Sequence, residues 1–283
     1  MPRLNKVIDL IGAGKPAFGT FMPVGSIPDA MWAASSSYDF VVYEMEHAAF
    51  NLADLRLSLQ FMLDRRQIVE SGTVAPAVVP FVRIPINGRE QNQWIVKQVL
   101  DIGVYGIIFP MINTPEDAIA AVQACRYIQA RGASDQEPIG RRGHAPGNAT
   151  RYWGVAQPEY YRRADVWPLD PDGEILPCLQ VETIESVNNL PRILDALPKP
   201  GLMLISEGDL SVSLGLGGAR GPELEEAVQR AAQTCRERGV PYGSPQTNLD
   251  NVEQRIRDGF TFLMPAPTRE TAAMDLGRQF ANR

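Results

Sequence analysis

Histidine is almost missing from this chain: there are two in 283 residues, His47 and His144. Cysteine is nearly as scarce. The three residues, Cys125, Cys178 and Cys235, are odd in number and far apart, which suits reduced thiols in a cytosolic chain better than a disulfide framework or a zinc cluster. No apolar run approaches the roughly 18 residues that read as a membrane span. The opening MPRLNKVIDLIGAGKPAFG lacks the longer apolar core of a secretory signal. The chain is therefore expected to be cytoplasmic, with no membrane partner. Basic residues are not in excess either: 27 Lys and Arg face 33 Asp and Glu, for a net charge of -6, and they are scattered. That removes the electrostatic footprint of a nucleic-acid binder and leaves a small molecule as the expected partner. Low-complexity segments and sequence-level repeats are missing as well.

What is present is a regular alternation. Hydrophobic residues make up 45% of the chain, enough for a substantial core. Eight short β-prone runs occur in order: AFGTFMP (17–23), DFVVYEME (39–46), VPFVRIPI (79–86), YGIIFPMI (105–112), ILPCLQVE (175–182), LMLISE (202–207), VPYGSP (240–245) and FTFLMPAP (260–267). Between them lie LADLRLSLQFMLDRR, NQWIVKQVLDIG, PEDAIAAVQACRYIQA, ESVNNLPRILDAL and ELEEAVQRAAQTCRERG, whose apolar residues recur three and four apart, as one buried helix face requires. Asn51, Thr114 with Pro115, Glu116 and Asp117, and Thr183 with Glu185 supply helix-start signals. Eight such units with no composition break predict an α/β fold, a single (β/α)8 TIM barrel over residues 1–283, with an open doubly wound sheet as the structural alternative.

Residues 131–174, between the fourth helix and the fifth strand, form an excursion too long for an idle connection. An active-site cover or a subunit contact is expected there, with a plain surface excursion as the other reading. QPEYYRRADV predicts a short helix inside it, and Trp153, Tyr160 and Tyr161 are the residues expected to bury it.

In such a barrel the C-terminal ends of the strands converge on one mouth. Glu44, Glu46 and His47 then close strand two, Arg83 falls late in strand three, Gln180 and Glu182 close strand five, and Asp209 follows strand six. Each has a dull explanation alone, since a strand-end histidine is more often structural and a strand-end carboxylate often caps the next helix. Their coincidence at one rim is the stronger signal. Glu182 and Asp209 on adjacent strands place two anionic groups together, which is unfavourable unless a proton or cation intervenes. Two carboxylates with open positions suit Mg²⁺ or Mn²⁺ better than zinc.

EMEHAAF, VRIP, the QVLDIGVYGIIFPMINTPEDA block, RRG with RYWG, QVETIESVNNLPRIL and GDLSVSLG, in this order, resemble the HpcH/HpaI aldolases, metal-dependent class II pyruvate aldolases on a (β/α)8 barrel. The resemblance covers nearly the whole chain. It implies Glu182 and Asp209 as metal ligands (Mg²⁺, Mn²⁺ or Co²⁺), His47 as the catalytic histidine, and Asp101 as the carboxylate that orients it, in this chain or from a neighbouring subunit. It implies Arg83 at the keto oxygen and Gln180 lining the pyruvate site. Backbone amides near Gly208 and Asp209, at a helix start, are further candidates for the substrate carboxylate. The implied reaction joins or cleaves a 4-hydroxy-2-oxoacid through a pyruvate enolate and an aldehyde, with no Schiff-base lysine and no nucleotide. The implied assembly is a homo-oligomer, a trimer or a hexamer, with the C-terminal helix RETAAMDLGRQFANR against a neighbour.

Oxaloacetate decarboxylation needs the same residues and stays open, as does a non-catalytic barrel that binds a 2-oxoacid. LGLGGARG misses the spacing of a dinucleotide loop. Departures from the family pattern are Glu44, the longer segment 64–78, the enlarged excursion with His144 in it, and Ser206-Glu207-Gly208 where many relatives carry Gly-Pro-Ala. Glu207 has three expected uses: reaching a water on the metal, pairing with a base, or pointing outwards.

Overall fold

A computed structural model describes residues 3–86, 93–265 and 268–283. Eight strands close into an all-parallel barrel in chain order, β1 Ala17–Met22, β2 Phe40–Glu44, β3 Val79–Arg83, β4 Gly106–Phe109, β5 Leu176–Val181, β6 Leu202–Ile205, β7 Tyr242–Thr247 and β8 Phe262–Pro265. Each predicted run holds one strand, and closure excludes the open sheet. Ala266 and Pro267, the end of the last run, and Asn92, the start of one predicted helix, lie outside the described residues.

The helices among the described residues are α1 Lys6–Gly12, α2 Ile27–Ala34, α3 Leu52–Met62, α4 Arg65–Ser71, α5 Gln93–Ile102, α6 Pro115–Cys125, α7 Gly147–Trp153, α8 Gln157–Arg163, α9 Ile184–Ala196, α10 Glu207–Ser213, α11 Pro222–Glu237, α12 Val252–Arg257 and α13 Ala272–Phe280. The starts form as the sequence indicates. Asn51 Oδ1 accepts from the N–H groups of Ala53 and Asp54, and Thr114 forms a reciprocal box with Asp117. Thr183 forms the same box with Ser186, and Glu185 lies in the first turn as an acid. No helix is long and apolar enough to cross a membrane among the described residues.

The barrel is filled from below by aromatic rings. Phe40 stacks on Phe262 at 4.0 Å between centroids, and Phe81 leans on both at 5.5 and 5.6 Å. Gly19 and Gly106 make room for them: a Cβ there comes within 2.2 Å of the Phe40 ring and 2.0 Å of the Phe81 ring. Strands buried on both faces, as β4, β5 and β6 are, explain why these runs are apolar throughout and do not alternate.

Two expectations need correction. Helix α6 stops at Cys125, five residues before the end of its periodic pattern. Arg126, which follows, is fully buried, and its guanidinium binds Asp165 at 2.6 and 2.9 Å, a contact that draws the chain out of the helix. The longer 64–78 segment holds α4, which Asp64 caps.

The excursion, lastly, does not cover the mouth of its own chain. It holds α7 and the predicted α8, and Trp153 and Tyr160 are buried as expected while Tyr161 is only partly so. Trp153 stacks on Tyr105 at 4.4 Å and donates its indole N–H to Gly103 O, just before β4, so the excursion packs at the N-terminal end of the strands. Glu174 at its close accepts from the N–H groups of Leu4 and Asn5. The physical reason is directional: α6 runs from the mouth back to the far end, and β5 starts there, so the connection begins and ends on that side.

Candidate active site

Glu44 is the last residue of β2 and Arg83 the last of β3, and they are partners in the ladder. Side chains two apart share a strand face, so Arg83 follows Phe81 and Glu44 follows Phe40 into the barrel. Arg83 donates to Glu44 Oε2 from Nε at 2.7 Å and from Nη2. Its Nη1 lies 3.1 Å from Glu46 Oε2, and its Cζ stands 4.6 Å over the Phe21 ring. The other oxygen of Glu44 accepts from the backbone N–H groups of Glu46 and His47 at 2.7 and 3.1 Å. Glu44, a departure in the sequence, is thus the bracket that shapes the 44–47 turn. His47 lies beyond the strand, not in it; its side chain is 64% exposed and Nε2 is 3.5 Å from Glu46 Oε2.

On β5, Gln180 faces the same interior, and Glu182 follows one step past the strand. Gln180 Nε2 donates to Glu182 Oε2. The N–H of Met111, a residue with φ of 55°, donates to Glu182 Oε1 at 2.6 Å. Glu182 is 1% exposed. Burial pushes its carboxyl up to about 8; the Met111 N–H opposes this, Glu46 and Asp209 add to it by repulsion, and Arg83 opposes. Glu46 is also pushed up, first by burial, against the attraction of Arg83 and His47 and with the repulsion of Glu44 and Asp209. Glu46, Glu182, Asp209 and Arg83 therefore share one electrostatic neighbourhood. Glu46 Oε2 and Gln180 Oε1 are buried with no hydrogen bond among the described residues; the Arg83 contact to Glu46 Oε2 is an ion pair without hydrogen-bond alignment.

Asp209 and Gly208 lie in the first turn of α10, which starts where β6 ends. The Asp209 carboxylate is partly exposed and makes no hydrogen bond or ion pair with a described residue. Of the three uses expected for Glu207, the structure selects pairing with a base: Arg255 Nη2 donates to Glu207 Oε1 at 2.6 Å. A cleft of about 480 Å³ opens beside Glu182, walled in part by Met111, Asn113, Thr183 and Ser213. A larger cavity of about 640 Å³ opens at the other end of the barrel, near Trp167 and Tyr242, far from these carboxylates.

The sequence profile of the HpcH/HpaI aldolase/citrate lyase family matches residues 18–268. The chain belongs to this family. It is 28% identical over 263 residues to the 4-hydroxy-2-oxo-heptane-1,7-dioate aldolase of Klebsiella pneumoniae, covering 92% of this chain and 86% of that one. Among solved structures it superposes on an HpcH/HpaI aldolase/citrate lyase family protein of Burkholderia cenocepacia J2315 with a TM-score of 0.73, 24% identity and coverage of 97% and 96%. It superposes on the citrate synthase SbnG with a TM-score of 0.69, 20% identity and coverage of 99% and 100%; both show the same fold. Membership and the aldolase relatives support an enzyme of aldolase or lyase type.

Of the positions singled out in the sequence, the structure brings Arg83, Gln180, Glu182, Gly208 and Asp209 to one mouth, with His47 at its edge. Asp101 is not there. It is the next-to-last residue of α5, which runs away from the mouth, and it accepts from Arg142 Nη2 at 2.9 Å. His144, also outside the mouth, is exposed and pairs through Nδ1 with the Tyr161 hydroxyl. The sequence reading missed Met111, Gln246 and Arg255. Met111, just past β4, and Gln246, at the end of β7, carried the strand-end signal, and Arg255 carried none.

Proposed function

We propose that the chain is a divalent-metal-dependent aldolase that forms and cleaves 4-hydroxy-2-oxoacids through a pyruvate enolate and an aldehyde. The observation that carries this reading is the shared electrostatic neighbourhood of Glu46, Glu182 and Asp209, in which, among the described residues, Arg83 is the guanidinium that faces Glu46 and Glu182, and it is already divided between Glu44 and Glu46. Carboxylates brought together in this way suit a hard cation with oxygen ligands. No group of three or more His, Cys, Asp or Glu forms a ready cage among the described residues. An ion such as Mg²⁺, Mn²⁺ or Co²⁺ would then be held by Glu182 and Asp209, with its other positions left to water and substrate.

When bound, such an ion supplies Lewis acidity towards the oxygens of a 2-oxoacid and so lowers the pKa of its methyl group. The residues of the chain do the rest. Arg83 is a fixed positive donor where negative charge develops on the keto oxygen, a contribution of up to about 4 kcal/mol in a water-poor site. It is held in place by Glu44. Gln180 bounds the pyruvate pocket and keeps Glu182 in position through its Nε2. His47 Nε2 takes the methyl proton and returns it. The N–H groups of Gly208 and Asp209 face the substrate carboxylate, and the cleft beside Met111 receives the aldehyde.

Deuterium exchange into the pyruvate methyl group, followed by proton NMR, tests the half-reaction without a choice of aldehyde. Exchange with Mn²⁺ or Mg²⁺ that stops on adding EDTA is expected. No exchange with any divalent metal would overturn the reading, and exchange with oxaloacetate turnover but no aldehyde addition would assign decarboxylation instead.

A further inference from the structure

The seven-residue α10 bears Asp209 in its first turn, yet little within the helix fixes that turn. A helix this short is marginal by itself, and its N-cap residue, Ser206, makes no side-chain cap hydrogen bond. The turn is held instead from three distant elements. Ser206 N–H donates to Val181 O at the end of β5, at 3.0 Å. Glu207 N–H donates to Gln246 Oε1 on β7, at 3.0 Å. The Glu207 carboxylate receives Arg255 of α12 at 2.6 Å, with Arg220 at 3.6 Å from its second oxygen.

The Arg255 contact is the strongest of these. Both partners are buried, Glu207 at 6% and Arg255 at 4% exposure. The guanidinium lies 5.0 Å over the Phe260 ring, its Nε has no partner among the described residues, and its other acid, Glu225, is 3.8 Å away and mostly exposed. Removing either member of such a pair leaves the other as a buried, poorly compensated charge.

We infer that Glu207 and Arg255 are a positioning pair: they anchor the first turn of α10 against α12 and so aim the Asp209 carboxylate at the metal position beside Glu182. The inference rests on the assignment of Asp209 as a metal ligand. Glu207 is two residues before Asp209, on the same turn, so its tether to a fixed helix restricts the backbone from which Asp209 projects. Groups that hold a ligand in place in this way commonly change metal affinity by about 10- to 100-fold.

The test is Mn²⁺ binding, read by electron paramagnetic resonance of the free ion, on the full chain with melting curves recorded in EDTA. Glu207→Gln and Arg255→Met are each expected to weaken Mn²⁺ by about 10-fold or more. The paired variant Glu207→Met/Arg255→Met strands no charge, so its melting temperature should recover, whereas its Mn²⁺ affinity should stay low. A merely structural pair would recover both. Arg255→Lys, which keeps the charge, should give back part of the affinity, and it decides the matter if the methionine variants do not fold. Native Mn²⁺ affinity in the folded variants overturns the positioning role. Native affinity in Asp209→Asn removes the metal-ligand assignment itself, a different failure.

Discussion

Glu44 and Arg83 are partners in the β2–β3 ladder, and their side chains meet inside the mouth of the barrel. One oxygen of Glu44 holds Arg83 while the other holds the backbone of Glu46 and His47. A single carboxylate therefore holds both Arg83 and the turn that carries His47. This explains the extra acid of EMEH: it is an organiser of the site rather than a surplus charge.

Replacing Arg83 by lysine keeps the charge but loses the fork that reaches Glu44 and Glu46 together. Metal-dependent exchange of the pyruvate methyl protons should fall by about 10² to 10³, the usual cost of one donor at a developing oxyanion. Mn²⁺ binding should persist. An unchanged exchange rate would mean that Arg83 does not face the keto oxygen.

Glu182→Ala and Asp209→Ala should each abolish exchange and Mn²⁺ binding, because one remaining carboxylate holds a hard divalent ion poorly. Titration of Mn²⁺ into each variant checks this directly. Full activity in either one removes it from the metal site.

His47 is exposed and makes few contacts, so His47→Ala should fold and should bind Mn²⁺ and pyruvate as the parent does. Exchange should slow by about 10² to 10⁴. If the melting temperature collapses instead, the residue is structural and the proton carrier must be sought elsewhere.

Asp101 is far from the mouth of its own chain, so the orienting role implied for it requires a second copy. Variants His47→Ala and Asp101→Ala, each strongly slowed alone, should then regain part of the activity when co-expressed, since mixed oligomers contain some intact sites. No recovery in co-purified mixed oligomers would exclude a shared site.

The far end of the barrel offers a pH test. Burial alone would raise the Asp39 carboxyl, but two hydrogen bonds from Arg283, the Phe18 N–H and the Lys6 charge outweigh it and hold it below its usual 3.8. A lowered carboxylate stabilises the fold above its unfolded value, and that stabilisation is lost as pH falls through the folded value. Arg283→Ala should cost about 1–3 kcal/mol near neutral pH, and the difference from the parent should shrink in acid to what the Arg283 hydrogen bond to Pro16 O leaves. Urea unfolding at several pH values measures it; a constant difference would show that the Asp39 contact is not its source.

Much of this protein was legible in its sequence. Short apolar runs and three-and-four spacing specify strands and helices through local sterics and burial, and the Asn51, Thr114 and Thr183 caps act within three residues of themselves. Eight units in succession imply a closed barrel, and strand ends imply a shared mouth, so Arg83, Gln180, Glu182 and Asp209 were recoverable. What local pattern does not encode is contact across the closed structure. Arg126 ends a helix because of Asp165, 39 residues on; Met111 serves Glu182 across 71 residues; Arg255 reaches Glu207 across 48. The placement of the excursion and of Asp101 away from the mouth followed from the direction in which each helix returns. Residue spacing by itself determined the elements and the rim they share, whereas only barrel closure decided which charges are buried together, because burial and pairing depend on neighbours that the chain meets only after it has folded.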